Sequence, residues 1–191
     1  MKNLLRSRAS ASRVFCYEQV TNFYRYLSRQ QGIAEAIGSE YLGADRYPGE
    51  TINGVRHEDA LRLSFQAGSF DFLISNDIFE HVPDIGKALT EACRCLKIGG
   101  CLIFSVPFCM HEPLTVQRAA IQDTRLVHLL PECYHGNPLS RKGSLVFYDF
   151  GWDILELCRG CGFRDAYMVS YYSIECGHIG NAMQYIFYAE K

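Results

Sequence analysis

Ser75, Asn76, Asp77, Glu80 and His81 crowd together directly after an apolar run at residues 70–74. Such a run reads as a buried strand, so these polar groups fall at its carboxyl end, where open parallel sheets bind ligands. Amide and carboxylate groups there can hold a polar ligand, and an imidazole titrating near neutrality can take a proton. Other carboxylates sit at comparable places. Glu40 ends the AIGSE stretch, a second candidate strand, and an acid at that point is placed to accept from both hydroxyls of a ribose. It reads equally as a solvated strand-end residue. Asp59, followed by Leu63 and Phe65, can accept from the exocyclic amine of adenine, or it caps a helical turn. The candidates for proton transfer are His81, His111, His128 and His135. His81 is nearest the polar loop, and His135 stands in Tyr134-His135-Gly136, within a segment expected to cover a second ligand. Each also has an ordinary reading as a hydrogen-bonded structural histidine. No metal site is expected. The one CxxC, Cys158 to Cys161, has no second pair or nearby histidine, and its cysteines read as small residues on a buried helix face.

The elements that must position these groups begin with residues 68–107, which read as strand, loop, helix, Gly-Gly turn and strand, one βαβ unit. Asp84 reads as the helix N-cap, with Ile85, Ala88, Leu89, Ala92, Cys93 and Leu96 on one stripe. Lys97-Ile98-Gly99-Gly100 should end the helix, and residues 101–106 form an apolar strand. Upstream, a strand at residues 14–17 runs into a helix bearing Val20, Phe23, Tyr24 and Leu27, stopped by Gly32. Most nucleotide-binding α/β folds place a Gly-rich loop at that junction, because glycine lets the backbone approach a ligand. Here Tyr17-Glu18-Gln19 stands there instead. A brief edge strand is expected at residues 55–57. Pro107, Pro113, Pro131 and Pro138 break up residues 107–150, which read as an insertion or lid. Its Arg118, Arg125 and Arg141 either meet an anionic ligand or lie on the surface. Tyr134, Phe147, Tyr148 and Trp152 either line a cleft or fill the core, with core favoured for Trp152. A helix with Trp152, Leu155 and Cys158 inward follows, then closing strands at 166–173 and 184–189.

The chain's 191 residues suit one domain, 1–191. A formal charge of -2 gives no reason to expect nucleic acid, and no apolar run approaches the roughly 20 residues of a membrane helix. An odd number of cysteines, nine, points to free thiols in a reducing compartment, so a cytoplasmic protein is expected. Residues 1–13, basic and serine-rich, read as a frayed tail rather than a leader, since a strand follows at once. The oligomeric state is not legible.

Taken together, EDALRLSFQAGSFDFLISNDIFEHVPDIGKALTEACRCLKIGGCLIFSVP resembles the class I S-adenosylmethionine-dependent methyltransferase family. The resemblance rests on an acid before an L-x-F turn, SFD opening a strand, EHVPD, and the L-x-E-x-x-R-x-L-K-x-G-G helix. It implies an α/β, Rossmann-like, doubly wound and mostly parallel seven-stranded sheet with an antiparallel last strand. It also implies S-adenosylmethionine as cofactor, with Glu40 on the ribose, Asp59 on the adenine amine, and Ser75, Asn76 and Asp77 beside the methionine moiety. The family's first glycine loop is replaced by CYEQVT, where Glu18 can meet the cofactor's ammonium group. Ser64 and Ile98 stand where prolines are usual. Some bacterial members share EQVT (18–21), GSEYL (38–42), YHG (134–136) and DFGW (149–152), which implies a subfamily with a modified first loop. The implied function is methyl transfer, with oxygen of a small molecule or glycan precursor the expected acceptor and His135 or His81 as base. The alternative is a non-catalytic relative that binds a ligand or partner after losing the glycine loop. A nicotinamide-dependent dehydrogenase fails for want of G-x-G-x-x-G.

Overall fold

The computed structural model describes residues 12–175 and 184–191. It opens with β1 (Ser12–Cys16), α1 (Asn22–Leu27), β2 (Ile33–Gly38), β3 (Thr51–Ile52) and β4 (Val55–Arg56). Next come β5 (Phe70–Asn76), a 3-10 turn (Phe79–His81), α2 (Ile85–Cys95) and β6 (Leu96–Ser105). Six short strands follow: β7 (Val116–Gln117), β8 (Ala119–Gln122), β9 (Arg125–His128), β10 (Tyr134–Asn137), β11 (Ser140–Leu145) and β12 (Tyr148–Asp149). The chain closes with α3 (Ile154–Gly160), β13 (Asp165–Tyr171) and β14 (Gln184–Glu190).

The central sheet runs β13-β14-β6-β5-β1-β2. Strands β2, β1, β5 and β6 pair in parallel, whereas β14 lies antiparallel to both β6 and β13. This is the class I methyltransferase arrangement, with six strands among the described residues where seven were expected. The expected edge strand near Val55 turns back on itself instead, because Asn53 and Gly54 both hold positive φ, 51° and 80°, and close a hairpin between β3 and β4. Asn-Gly is the strongest short hairpin signal a sequence offers.

Both sheet faces are covered, which explains the unbroken apolar runs of β5 and β6. Phe15, Phe70, Leu73 and Phe104 face Ala88, Leu89 and Ala92 of α2, together with Ile154 and Cys158 of α3. Val14, Cys16, Phe72 and Ile74 pack on the opposite face with Leu27 of α1. Burying each of the larger side chains stabilises the fold by about 1.5–3 kcal/mol. Asp84 caps α2 by accepting from the Lys87 amide at 2.9 Å. The helix ends at Cys95 and β6 already begins at Leu96, so Lys97-Ile98-Gly99-Gly100 belongs to the strand's irregular start rather than to the helix stop.

Trp152 departs from expectation. It is 39% exposed, donates its indole N–H to the Met110 carbonyl at 2.9 Å, and meets Phe108 edge-on. Since α3 starts only at Ile154, Trp152 precedes the helical period that turns Ile154 and Cys158 inward. Residues 107–150 carry three two-stranded antiparallel ladders, with β7 on β12, β8 on β9 and β10 on β11. All eight cysteines in the described residues are free thiols, Cys158 and Cys161 among them; Cys176 lies outside those residues, as does most of the expected 1–13 tail. The part of that tail that is described, Ser12 and Arg13, belongs to β1 rather than to a frayed end.

Candidate functional site

At the carboxyl end of β1 the chain enters a loop with no glycine, and carboxylates organise it. Glu18, 8% exposed, accepts from the side-chain amide of Asn76, tying the exit of β1 to the end of β5. Glu40 lies just beyond β2, and its Oε1 accepts from the backbone amides of Gln19 at 2.8 Å and Val20 at 2.9 Å. Gln19 is gripped in turn, donating to the Gly54 carbonyl and accepting from the Arg56 amide. Thr21 then caps α1 by accepting from the Tyr24 amide. Gly38 permits the loop to close: a Cβ there would lie 2.7 Å from the Tyr24 ring and 2.8 Å from the Glu18 carbonyl oxygen. Asp59 Oδ1 accepts from the Leu61 amide at 2.9 Å, so the turn-closing reading describes one of its oxygens. In each of Glu18, Glu40 and Asp59 the second carboxylate oxygen takes no hydrogen bond among the described residues.

Ser75 is fully buried and its hydroxyl has no partner among the described residues, so it faces the protein interior. Asp77 is exposed, holds a left-handed φ of 49°, and accepts from the Ser105 hydroxyl at 2.9 Å. Tyr41 escaped the sequence reading. It is 58% exposed beside Glu40, its ring lies 5.5 Å from His57, and its hydroxyl pKa is raised, first by burial and then by the charges of Asp59 and Asp45. An aromatic residue immediately after Glu40 was the available signal.

The second assembly centres on Glu80, in the 3-10 turn after β5. Glu80 is fully buried, and neither of its carboxylate oxygens has a hydrogen-bond partner among the described residues. Burial, reinforced by the charge of Asp77, raises its pKa to about 8. His81 Nε2 lies 3.5 Å from Glu80 Oε1, and His135 Nδ1 lies 3.4 Å from the same oxygen. The two imidazoles meet edge-on, with centroids 5.2 Å apart. Nδ1 of His81 sits 2.8 Å from the Leu145 carbonyl oxygen, which can only accept, so that nitrogen carries the ring proton. Burial lowers the His81 pKa, which favours the neutral ring. These groups border a cleft of about 600 Å³ that Asp77, Val106 and Pro107 also line. A second cleft, bordered by Asn76, Tyr171 and Tyr185, shares Asp77 and Val106 with it.

His135 reaches this point through the β10–β11 hairpin. The Phe147 amide donates to the Glu80 carbonyl at 2.7 Å and the Tyr148 hydroxyl to the Pro83 carbonyl at 3.0 Å, locking the following segment onto the 3-10 turn. Gly143, at φ 77°, faces His135; a Cβ would stand 2.3 Å from its carbonyl oxygen. The fold thus brings His81 and His135 together and leaves the other candidates elsewhere. His111 is exposed, and His128 lies 3.5 Å from Glu132. Arg118 pairs with Asp149 at 2.6 Å, whereas Arg125 and Arg141 are exposed. Phe147 and Tyr148 are buried and Tyr134 is half exposed.

A family model described as a methyltransferase domain matches residues 11–104. Arsenite methyltransferase from Aquipseudomonas alcaligenes is 34% identical over 114 residues, covering 59% of this chain and 28% of that protein. The chain therefore spans less than a third of the length of that curated relative. The crystal structure of an S-adenosylmethionine-dependent methyltransferase from Mesorhizobium loti superposes with a TM-score of 0.61 at 15% identity, covering 99% of this chain and 96% of that one. The 1,6-didemethyltoxoflavin-N1-methyltransferase of Burkholderia thailandensis, with bound 1,6-didemethyltoxoflavin and S-adenosylhomocysteine, superposes with a TM-score of 0.56 at 16% identity, covering 99% and 75%. At these identities the superpositions show a common fold.

Proposed function

We propose that this chain, whose residues 11–104 match a methyltransferase-domain model and whose fold is that of class I S-adenosylmethionine-dependent methyltransferases, moves a methyl group from that cofactor to an oxygen of a small molecule or glycan precursor. The observation that carries this reading is the set of unused acceptor oxygens on Glu18, Glu40 and Asp59 around the strand ends. A ribose diol, an adenine amine and an ammonium group are all donors, so the residues present fit the cofactor. Glu40 Oε2 would receive the ribose, Asp59 Oδ2 the adenine amine and Glu18 Oε2 the ammonium, with Tyr41 beside the adenine. Asn76 and Asp77 would flank the methionine moiety, and Ser75, buried beneath them, supports the strand end. The net charge of -2 favours a small acceptor over nucleic acid.

When bound, the cofactor supplies a methyl group on a positively charged sulfur. The chain's own residues then have to hold the acceptor oxygen in line with the S–C bond, exclude water and take the hydroxyl proton. The hydroxyl proton given up in that transfer would pass to the Glu80–His81–His135 cluster. His135 is its entry point, since 36% of its side chain is exposed against 16% for His81. In this reading residues 1–191 act as one domain and residues 107–150 as a lid over the acceptor.

One observation favours a second reading, binding without turnover: Glu40 Oε1 is already held by the amides of the glycine-free loop. The two separate in one assay. The full chain is incubated with methyl-labelled S-adenosylmethionine and a protein-free metabolite extract. Label in a base-stable methyl ether is the expected result. Label on nitrogen or sulfur overturns the oxygen assignment, and no labelled product from a chain that binds cofactor establishes the second reading.

A further inference from the structure

Three lone-pair-bearing atoms converge on one point of the cleft floor: Glu80 Oε1, His81 Nε2 and His135 Nδ1. The hydrogen bond from His81 Nδ1 to Leu145 leaves Nε2 as the ring's acceptor, and it faces a carboxylate that has no donor of its own among the described residues. An unpaired buried carboxylate is costly, so Glu80 calls for either a proton or a cation among these acceptors. The spacing indicates which. Ligands at 2.0–2.2 Å from a tetrahedral ion lie about 3.4 Å from one another, and the two Glu80–His contacts measure 3.4 and 3.5 Å. All three donor atoms lie within 4.8 Å of one another.

We propose that Glu80, His81 and His135 hold a divalent first-row metal ion of zinc-like preference, with an open coordination position facing the cleft. Two imidazoles and one carboxylate are a ligand set that catalytic zinc and related ions accept, and three protein ligands leave room for a substrate oxygen. The carbonyl of Leu145 orients the His81 ring as outer-shell groups do around such ions. The cleft gives the ion a path in and its open position a place for an incoming oxygen. Binding of the ion stands on this geometry alone. Its task, to hold and polarise the acceptor's oxygen, rests on the methyl-transfer reading and replaces proton transfer to His135: with the three lone pairs on the ion, the hydroxyl proton would leave to solvent through the cleft. The expectation of no metal site came from inspecting cysteines, whereas this set joins a 3-10 turn to a distant hairpin.

The test uses the full chain stripped with chelator, without cofactor or acceptor. It is titrated with cobalt(II) followed by visible absorption, and with zinc(II) by calorimetry. Saturable one-to-one binding is expected, weakened about tenfold or more in Glu80→Gln and in His135→Ala, and unchanged in the exposed His111→Ala. Should Glu80→Gln fail to fold, His135→Ala carries the comparison, because its side chain is part-exposed on a peripheral hairpin. No cobalt spectrum and no zinc heat, or equal affinity in the ligand variants, overturns the site and leaves a shared proton among the three groups. S-adenosylhomocysteine is titrated separately: a chain that binds metal but no cofactor loses only the methyl-transfer reading, and the converse loses only the ion.

Discussion

Glu40 has two tasks, and different substitutions separate them. Its Oε1 anchors the amides of Gln19 and Val20, while its Oε2 is the proposed ribose acceptor. Glu40→Gln keeps an oxygen for the amides and loses the charged acceptor. It should weaken S-adenosylhomocysteine binding by about 1.5–3 kcal/mol, the worth of a charge-assisted bond, with little change in melting temperature. Glu40→Ala should lower both. Calorimetry and thermal melts on the two variants decide it, and unchanged affinity in Glu40→Gln removes the ribose role. At this scale the sequence was informative about where a residue falls along one strand. Glu18, Glu40 and Asp77 each sit at or just past the end of an apolar run, which is visible without a structure. The isolation of Glu80 was not visible, because it depends on where the β10–β11 hairpin sets His135.

At the scale of elements, α2 does more than fill the core. Glu91 Oε1 accepts from the Leu63 amide at 2.8 Å, and Arg94 donates to Glu91 and to the carbonyls of Phe65 and Leu63. The helix thereby fixes the turn that follows Asp59. Hydrogen bonding to Arg94 holds the Glu91 carboxyl below its ordinary value of 4.5. A folded-state pKa below the unfolded one gives stability that is present at neutral pH and lost as the pH falls below the ordinary value and through the lowered one. With Arg94 partly exposed and screened, the effect is about 1 kcal/mol. Glu91→Gln should therefore lower stability at pH 7 and make the acid limb shallower, as read from urea unfolding at a series of pH values; parallel limbs would show that the pair contributes nothing. The cap at Asp84 and the stripe from Ile85 to Cys93 on α2 were legible from helical spacing, whereas Leu96, expected on that stripe, opens β6. The start of β6 was misread because two glycines at a helix end look like a stop, and Trp152 because an aromatic just ahead of a helix can mimic its inward face.

Over the whole molecule, the parallel order β2-β1-β5-β6 places the carboxyl ends of four strands on one edge, and the loops carrying Glu18, Glu40, Asp77 and Glu80 all open there. That common edge is why residues far apart in sequence can serve one ligand. No helix among the described residues is long and apolar enough to cross a membrane. The doubly wound class was legible from alternating strand and helix patterns. The three ladders between β7 and β12 were not, since strands of two to six residues leave little periodicity and pair through long-range contacts. In the proposed function a glycine-free first loop, organised by Glu18 and Glu40, still makes a cofactor site. The most direct test is calorimetric titration of the full chain with S-adenosylhomocysteine, paired with a thermal melt. Saturable one-to-one binding is predicted, with stabilisation of about 2.7 kcal/mol at roughly a hundredfold excess over the dissociation constant. No heat and no shift in melting at millimolar ligand would contradict it.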